Sequence, residues 1–433
     1  MNEETRKLEE LDKIKQHVFK NCLFLNDKYK EFEHKNIEEF YFQIPCILKD
    51  EIAENLEYYL DKNFLSLFDS NIIDFITDIT DLSENHDKQI KDNFNNIWTI
   101  ETTSGSMGKP LPIVKSQFER LKESKYLLKC RKQHFENANL SNGLLLIHKN
   151  DPNIKKIDYR EDSNQFKYVI ESMLLNHPKW IFSSTRIFNR FIDYIIKFDL
   201  QNKFKNYDIR FIETTSQKML KEEIIQSKSI FDCDVISNYG CREVWNIAYE
   251  CKNHHLHLNN DLLIVDVVDE DGNIITEDGK VGDIVITSLV HQTMPLIKYY
   301  IGDRGRIYRN HKLCDNNSPI LILEEGREYE KIKGTEYYGT TIFRKVLRTL
   351  YFHYHIIDIE RIKIIQNKNT FYIYVDKKSN EKTVFEKAFI NIFYDQIKYK
   401  YKFKFIFNYY FPFSDNNLLY KEKIFSSEEK ILL

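Results

Sequence analysis

The chain has 433 residues, of which 42% are hydrophobic, and this is enough for a sizeable core in two or three domains. With 63 Lys and Arg against 66 Asp and Glu, the net charge of -3 excludes a global attraction to nucleic acid or to an acidic membrane. Seven widely spaced cysteines do not form a disulfide framework, and no apolar run is long enough to span a membrane. We therefore expect a cytoplasmic protein without membrane or nucleic-acid partners.

Residues 1–95 contain no glycine, and their apolar residues follow helical spacing, as at Leu48, Ile52 and Leu56. This pattern predicts a mainly helical N-terminal layer. From Ile97 to Leu323, short apolar runs alternate with amphipathic helices, which is typical of an α/β layer. The predicted strands and helices are Leu144–Ile147, Trp180–Phe182, Arg186–Phe198, Ile209–Ile212, Lys218–Ser229 and Val235–Ile236.

An antiparallel sub-sheet is predicted next, because Leu262–Val268 and Asp283–Thr287 flank the turn Asp269–Asn273. After a boundary at Arg327–Lys331, the pattern changes to a small α+β unit. Its predicted elements are a helix Thr341–Leu350, a hairpin Arg361–Ile365 and Phe371–Val375, a helix Lys382–Ile392 and a strand Lys398–Phe407. The fold class is therefore α/β with a small C-terminal α+β domain.

A run of small hydroxyl residues and glycines, Thr102 to Pro110, follows the apolar segment Ile97–Ile100. Backbone N–H groups, hydroxyls and one lysine are the groups that a polyphosphate needs. The run differs from a Walker A motif, since Pro110 stands where Ser or Thr would bind magnesium. An exposed turn is the alternative interpretation. The predicted phosphate-binding residues are Thr103, Ser104, Gly105, Ser106, Gly108 and Lys109.

A second motif, SNYGCRE at Ser237–Glu243, combines the flat ring of Tyr239, Gly240 and a carboxylate at Glu243. On its residues alone it could also be a buried turn with an Arg242–Glu243 ion pair. The first loop resembles the T-S-G-S-T-G-K-P signature of adenylate-forming enzymes, which are acyl-CoA synthetases and related ligases, and SNYGCRE resembles their Y-G-x-T-E element. This resemblance implies that Tyr239 stacks on adenine and that Glu243 binds Mg2+.

Later motifs resemble, in order, those of the phenylacetate-CoA ligase and capsule-associated ligase branch of this family. They are YGCRE at Tyr239–Glu243, Met294–Asp303, Gly326–Lys333 and Leu419–Ser427. The resemblance implies that Asp303 binds the ribose hydroxyls, that Arg327 contacts ribose or phosphate at a hinge, and that Lys421 is the catalytic lysine. Lys423 is the alternative to Lys421. We also expect Ser216 and Asn238 to contact the nucleotide.

Many relatives in this branch carry a Cys/His zinc site. The resemblance implies that the ligands in this chain would be Cys251, His257 and Cys314. Asn316 stands in the place of the branch's last cysteine. Since a structural zinc site has four ligands, either His255 or His311 substitutes for that cysteine, or the site is lost and the histidines are strand surface.

Lysines and aromatic residues alternate from Lys398 to Phe405. A nucleic-acid surface would have this composition. Strict alternation also predicts a single strand whose aromatic residues face the core and whose lysines face water, and this explanation is simpler.

The resemblance as a whole implies a ligase that uses ATP and Mg2+ to convert a carboxylic acid to an acyl-adenylate with release of pyrophosphate. Residues 1–327 would bind ATP and the acid, in a pocket between the Thr214–Gln217 turn, the Tyr239 loop and Ala138–Ile147, and residues 328–433 would be a mobile lid. The acyl group would pass to coenzyme A, a carrier-protein thiol or an amine. The alternative is a non-catalytic nucleotide-binding or partner-binding homologue. The sequence does not distinguish a monomer from a homodimer.

Overall fold

The structure is a computed structural model that describes most of the chain. The described residues are 3–32, 36–68, 71–81, 88–103, 110–146, 163–324, 331–354, 362–376, 382–409 and 425–426. The chain divides into two compact units, one of residues 1–301 and 305–322 and the other of residues 302–304 and 323–433. Of the predicted boundary at Arg327–Lys331, only Lys331 lies within the described residues.

The first unit begins with helices. They are α1 Glu3–Asn21, α2 Leu23–Tyr29, α3 Ile37–Gln43, α4 Lys49–Glu54, α5 Leu56–Tyr59, α6 Lys62–Leu65 and α7 Ile72–Asp81. Buried residues at helical spacing form the inner face of α1, where Leu11, Ile14 and Val18 are almost fully buried. Residues 88–91, which the sequence pattern placed in the helical layer, instead form strand β1 (Lys88–Lys91), because they pair with the strand that follows.

A three-stranded antiparallel sheet contains β1, β2 (Ile97–Thr102) and β3 (Pro112–Ser116), in that order. A larger sheet has ten strands in the order β10-β11-β12-β13-β9-β8-β7-β6-β5-β4. They are β4 Gly143–Leu146, β5 Trp180–Ser184, β6 Phe211–Thr215, β7 Asp234–Tyr239, β8 Ala248–Glu250, β9 Leu256–Leu258, β10 Leu263–Val268, β11 Gly282–Ser288, β12 Tyr299–Tyr308 and β13 Ile320–Leu323.

Strands β4 to β7 are parallel, and β10 and β11 are antiparallel, so the predicted α/β alternation and antiparallel sub-sheet are confirmed. The helices of this region are α8 Gln117–His134, α9 Ser163–Asn176, α10 Thr185–Lys197 and α11 Lys221–Phe231. Successive strand residues point to opposite faces, and Trp180 and Ile181 of β5 are both fully buried. Helices therefore cover both faces: Ile181 packs with residues of α9, α10 and α11, and Trp180 packs with residues of α8.

The second unit is the expected small α+β unit. Its elements are α12 Gly339–Tyr354, β14 Ile362–Asn367, β15 Thr370–Val375, α13 Lys382–Gln396, β16 Lys402–Phe407 and β17 Phe425–Ser426. The sheet order is β16-β15-β14-β17. Strand β16 begins at Lys402, four residues later than predicted. Its phenylalanines pack on the core and its lysines are exposed, so the strand explains the alternation. Among the described residues, no helix has the length and apolar character needed to cross a membrane.

Protonation of His17 is expected to stabilise the helical layer. His17 Nε2 of α1 lies 2.6 Å from Asp61 Oδ2 and 3.0 Å from the carbonyl oxygen of Gln292. The hydrogen bond to Asp61 raises the pKa of His17 above its usual value near 6.5. Because the folded-state pKa exceeds the unfolded one, this stabilisation is complete below about pH 6.5 and is lost as pH rises through the raised pKa. The midpoint of thermal unfolding should fall across that window in the wild type and less steeply in His17→Gln; parallel curves would contradict the assignment.

Candidate active site

The carboxyl ends of β4 to β7 lie at one edge of the large sheet. The pairing places Leu146 beside Ser183, Ser184 beside Thr215 and Thr214 beside Ser237. Because ligands of open α/β sheets bind outside the carboxyl ends of parallel strands, this edge is where a nucleotide would bind. The sequence motifs that follow β6 and β7 are therefore brought together.

A tight turn follows β6 at this edge. Ser216 is exposed and has a φ of +75°, a left-handed conformation that a side chain rarely adopts without support. The support comes from Thr185 at the start of α10, which is fully buried. Its hydroxyl is shared between the carbonyl oxygens of Thr215, at 3.3 Å, and Gln217. The turn therefore presents the Ser216 hydroxyl outward, as a nucleotide contact requires.

The loop after β7 folds back on itself at Gly240. A Cβ atom on Gly240 would lie 2.0 Å from the carbonyl oxygen of Trp245, so only glycine fits. Glu243 is largely buried within this loop, and its Oε1 accepts a hydrogen bond of 2.9 Å from the Tyr299 hydroxyl. One carboxylate oxygen is thus fixed, which orients the side chain. Burial and the nearby Glu243 raise the pKa of the Cys241 thiol well above its usual value, so this cysteine is a neutral thiol.

Asn238, at the end of β7, is hydrogen-bonded to neighbouring side chains. Its side chain is buried, donates a hydrogen bond of 2.8 Å to Glu213 Oε1 and accepts one of 2.7 Å from Asn246. A nucleotide contact by Asn238 stays a prediction. These two hydrogen bonds hold Asn238 in place and thereby support the start of the Tyr239 loop.

The phosphate-loop candidate joins β2 to β3. Its residues Ser104, Gly105, Ser106, Gly108 and Lys109 lie outside the described residues. The base of the loop is described: Thr103 N donates to the Leu111 carbonyl at 3.0 Å, and Leu111 N donates to Thr103 Oγ1 at 2.8 Å. Thr103 thus closes the loop. A nucleotide contact by its hydroxyl stays a prediction.

The remaining predicted nucleotide residues belong to other parts of the chain. Asp303 lies in β12, is partly buried, and follows Gly302, whose φ is +79°. It is one of the three residues of this strand that group with the second unit. Arg327 and Lys421, like Lys423, lie outside the described residues.

The three predicted zinc ligands are close together. The ligand atoms of Cys251, His257 and Cys314 all lie within 4.8 Å of one another. His257 Nε2 is 2.9 Å from Cys314 Sγ, and Nδ1 is 2.7 Å from the Ser318 carbonyl, to which it can donate. This second bond leaves Nε2 with its lone pair facing the thiols, and burial lowers the pKa of His257, which favours the neutral ring that a metal needs. The residues present therefore fit a zinc ion as three of its four ligands.

A fourth ligand can be sought among neighbouring histidines. His311 Nε2 contacts the Ser318 carbonyl at 2.9 Å, and the His311 ring lies 5.4 Å from the His257 ring. Within the described part of the chain, the buried Nδ1 atoms of His311 and His255 have no hydrogen-bond partner. Both alternatives that the sequence left open thus remain chemically available.

Sequence reasoning missed two buried ionic clusters beside this edge. In one, Arg131 of α8 forms a bidentate ion pair with Glu213 of β6, at 2.7 and 3.1 Å. In the other, Lys115 of β3 lies between Glu101 and Glu123. The available signal was a charged residue inside a β-branched or apolar strand, as in IWTIET, PIVKS and FIETT.

The chain was compared with known proteins. No protein-family model matches it. It is similar to Protein CapK of Staphylococcus aureus, at 22% identity over 332 residues that cover 71% of this chain and 68% of that protein. Among solved structures, it is similar to 2-hydroxyisobutyryl-CoA ligase in the postadenylation state with R3-HIB-AMP, with a TM-score of 0.66, 10% identity and coverage of 94% of this chain and 86% of that chain.

The same ligase in an open conformation with 2-HIB-AMP and CoA matches with a TM-score of 0.56, 10% identity and coverage of 94% and 88%. These matches extend over nearly the whole of both chains. The chain therefore has the fold of the adenylate-forming CoA ligases, and the relationship that its motifs indicated is confirmed at the level of the fold.

Proposed function

We propose that this chain is an ATP-dependent carboxylate ligase, which forms an acyl-adenylate and then transfers the acyl group. The proposal rests on the arrangement of residues at one edge of the large sheet. There the Ser216 turn and the loop holding Tyr239 and Glu243 follow neighbouring parallel strands, in a fold shared with a ligase crystallised with acyl-adenylates. Such an edge is the usual place for a nucleotide in an α/β sheet.

In this reaction the chain binds the nucleotide and orients the reacting groups. Tyr239 offers its ring to adenine, Asp303 binds the ribose, Arg327 binds the ribose or a phosphate, and the segment from Thr103 to Lys109 binds the phosphates. Glu243, whose carboxylate the Tyr299 hydroxyl orients, would hold Mg2+. The substrate carboxylate attacks the α-phosphorus and the bond to pyrophosphate breaks. This displacement requires charge neutralisation and alignment, and it needs no protein nucleophile.

Transfer completes the reaction. A thiol of coenzyme A or a carrier protein, or an amine, attacks the acyl carbonyl carbon, and AMP leaves.

Because all seven cysteines of the chain are free, we place the protein in a reducing compartment, the cytoplasm.

Lys421 is expected to be essential for adenylation, since a mobile ammonium stabilises the charge that develops as pyrophosphate leaves. Lys421→Ala should lower the rate of ATP–pyrophosphate exchange by about 10²- to 10³-fold, and ATP affinity measured by calorimetry should change little. The acid panel should contain aryl acids, short-chain acids and short hydroxy acids, because the structural match is a 2-hydroxyisobutyryl-CoA ligase.

Lys423→Ala is the matched control. If it abolishes exchange and Lys421→Ala does not, the catalytic lysine lies two residues further on. If the wild type binds ATP tightly but exchanges pyrophosphate with no acid, the chain is the non-catalytic homologue. Met107, Arg242, Tyr329 and Tyr420, which depart from the residues of the family, favour that alternative.

We further propose that Cys251, His257 and Cys314 bind one zinc ion. When bound, zinc would act structurally by linking the segment after β8 to the segment before β13. Purified protein should contain about one zinc per chain by elemental analysis. Cys314→Ser should lose it, while Cys233→Ser, which changes a cysteine elsewhere in the chain, should keep it. Wild-type protein that takes up neither zinc nor cobalt would contradict the site.

A further inference from the structure

A buried lysine connects the phosphate-loop hairpin to the loop that carries Glu243. Lys115 of β3 has no exposed surface. Its Nζ lies 3.2 and 3.1 Å from the two oxygens of Glu123, 3.5 Å from Glu101 Oε2 and 3.0 Å from the carbonyl oxygen of Arg242. A buried ammonium has three N–H donors that need acceptors. These oxygens supply them, so the position of the ammonium is well defined.

These contacts cross between two segments that are far apart in sequence. Lys115 and Glu101 belong to the β3 and β2 strands of the hairpin whose connection is the phosphate-loop candidate. Arg242 immediately precedes Glu243 in the loop after β7. Trp245, at the end of that loop, donates from Nε1 to Glu101 Oε2 at 2.8 Å, and its ring centre lies 4.9 Å from Lys115 Nζ. The loop is therefore fixed to the hairpin on both sides of Glu243.

The charges around Lys115 are paired on all sides. Arg120 Nε lies 3.3 Å from Glu101 Oε1, and His291 Nε2 lies 3.2 Å from Glu123 Oε1. Among the described residues, Lys115 alone contacts both carboxylates and the Arg242 carbonyl. An apolar side chain of similar length would fill the volume, but it would leave the carbonyl and both carboxylates without their shared donor.

We propose that Lys115 is a positioning residue for adenylation: it holds the Glu243 loop against strands β2 and β3 and so keeps the Glu243 carboxylate in place for the Mg2+ of the triphosphate. This inference rests on the proposed function. A displacement of a metal ligand by about 1 Å can cost about 10²-fold in rate, so loss of the Arg242 contact should be measurable.

The test separates positioning from stability with a double variant. Lys115→Met alone takes away the cation that two buried carboxylates share, so this variant can fail to fold for that reason alone. Lys115→Met combined with Glu123→Gln removes one charge of each sign, and should fold with a melting temperature near that of the wild type. Its KM for Mg2+·ATP in pyrophosphate exchange should rise at least about 10-fold, while its KM for the acid stays the same. Lys129→Met, at an exposed ion pair with Asp261, is the control and should match the wild type.

The outcomes distinguish the two hypotheses. A folded double variant with wild-type kinetics, or with equal increases of KM for the acid and for Mg2+·ATP, overturns the positioning role and leaves the ligase function intact. If the wild type shows no exchange, the ligase function fails. The positioning role is then judged by calorimetry of Mg2+·ATP binding, which the double variant must weaken relative to Lys129→Met, and equal affinities would overturn it.

Discussion

Gly240→Ala is expected to abolish ATP–pyrophosphate exchange in a protein that still folds. The added Cβ would lie 2.0 and 2.6 Å from the carbonyl oxygen and carbon of Trp245, and 3.0 Å from Asn246 Cα. All three are backbone atoms, so no side chain can move aside. The loop that holds Glu243 must open by more than 1 Å to reach ordinary contact distance, and exchange should fall by about 10²-fold or more.

The matched control is Gly272→Ala. Gly272 has a φ of +82° in the Asp269–Asn273 turn, and its Cβ would meet only Cys46 Sγ at 3.8 Å. This alanine has the strain of the left-handed conformation, about 1 kcal/mol, without a collision. Exchange should match the wild type after correction for stability. A Gly240→Ala rate within a few-fold of the control would show that the Glu243 loop tolerates displacement.

Local patterns were sufficient to predict the fold. Period-2 and helical spacing located the alternating strands and helices, and the DEDGN turn located the β10–β11 hairpin. The sequence pattern did not predict strand β1, because Lys-Gln-Ile-Lys is four residues long and has one apolar residue. These residues form a strand because they pair with β2. The bounds of β6 were also shifted, since the polar Glu213, Thr214 and Thr215 extend the strand past its apolar residues.

The site could be predicted only in part. The resemblance to the ligase family drew attention to Gly240 and to Cys251, His257 and Cys314, whose ligand atoms lie close together in the structure. The contacts of Lys115 with Arg242 and of Asn238 with Glu213 could not be predicted, because these partners are 127 and 25 residues apart in sequence. A charged residue in a strand signals a buried partner, but the sequence does not say which one.

Removal of one partner of the Arg131–Glu213 ion pair should lower the free energy of unfolding strongly, because the other charge then stays buried without its partner. Glu213 is fully buried and accepts from Arg131, from the Tyr249 hydroxyl at 2.9 Å and from Asn238. The Arg131 guanidinium also lies 4.5 Å from the centre of the Trp180 ring. Arg131→Met would leave a buried carboxylate, and Glu213→Gln a buried guanidinium. Each should lower the free energy of unfolding by about 3–5 kcal/mol.

The double variant Arg131→Met/Glu213→Gln should be destabilised by less than the sum of the single variants, because it leaves no unpaired charge and the one carbonyl oxygen of Gln still accepts from either Tyr249 or Asn238. Tryptophan fluorescence in chemical denaturation reports on the right part of the chain, since Trp98, Trp180 and Trp245 all belong to the first unit. Lys179→Met, at an exposed pair with Asp208, is the control and should cost about 1 kcal/mol or less. Single variants that lose no more than this control, or that simply add in the double variant, would mean that the pair is not coupled.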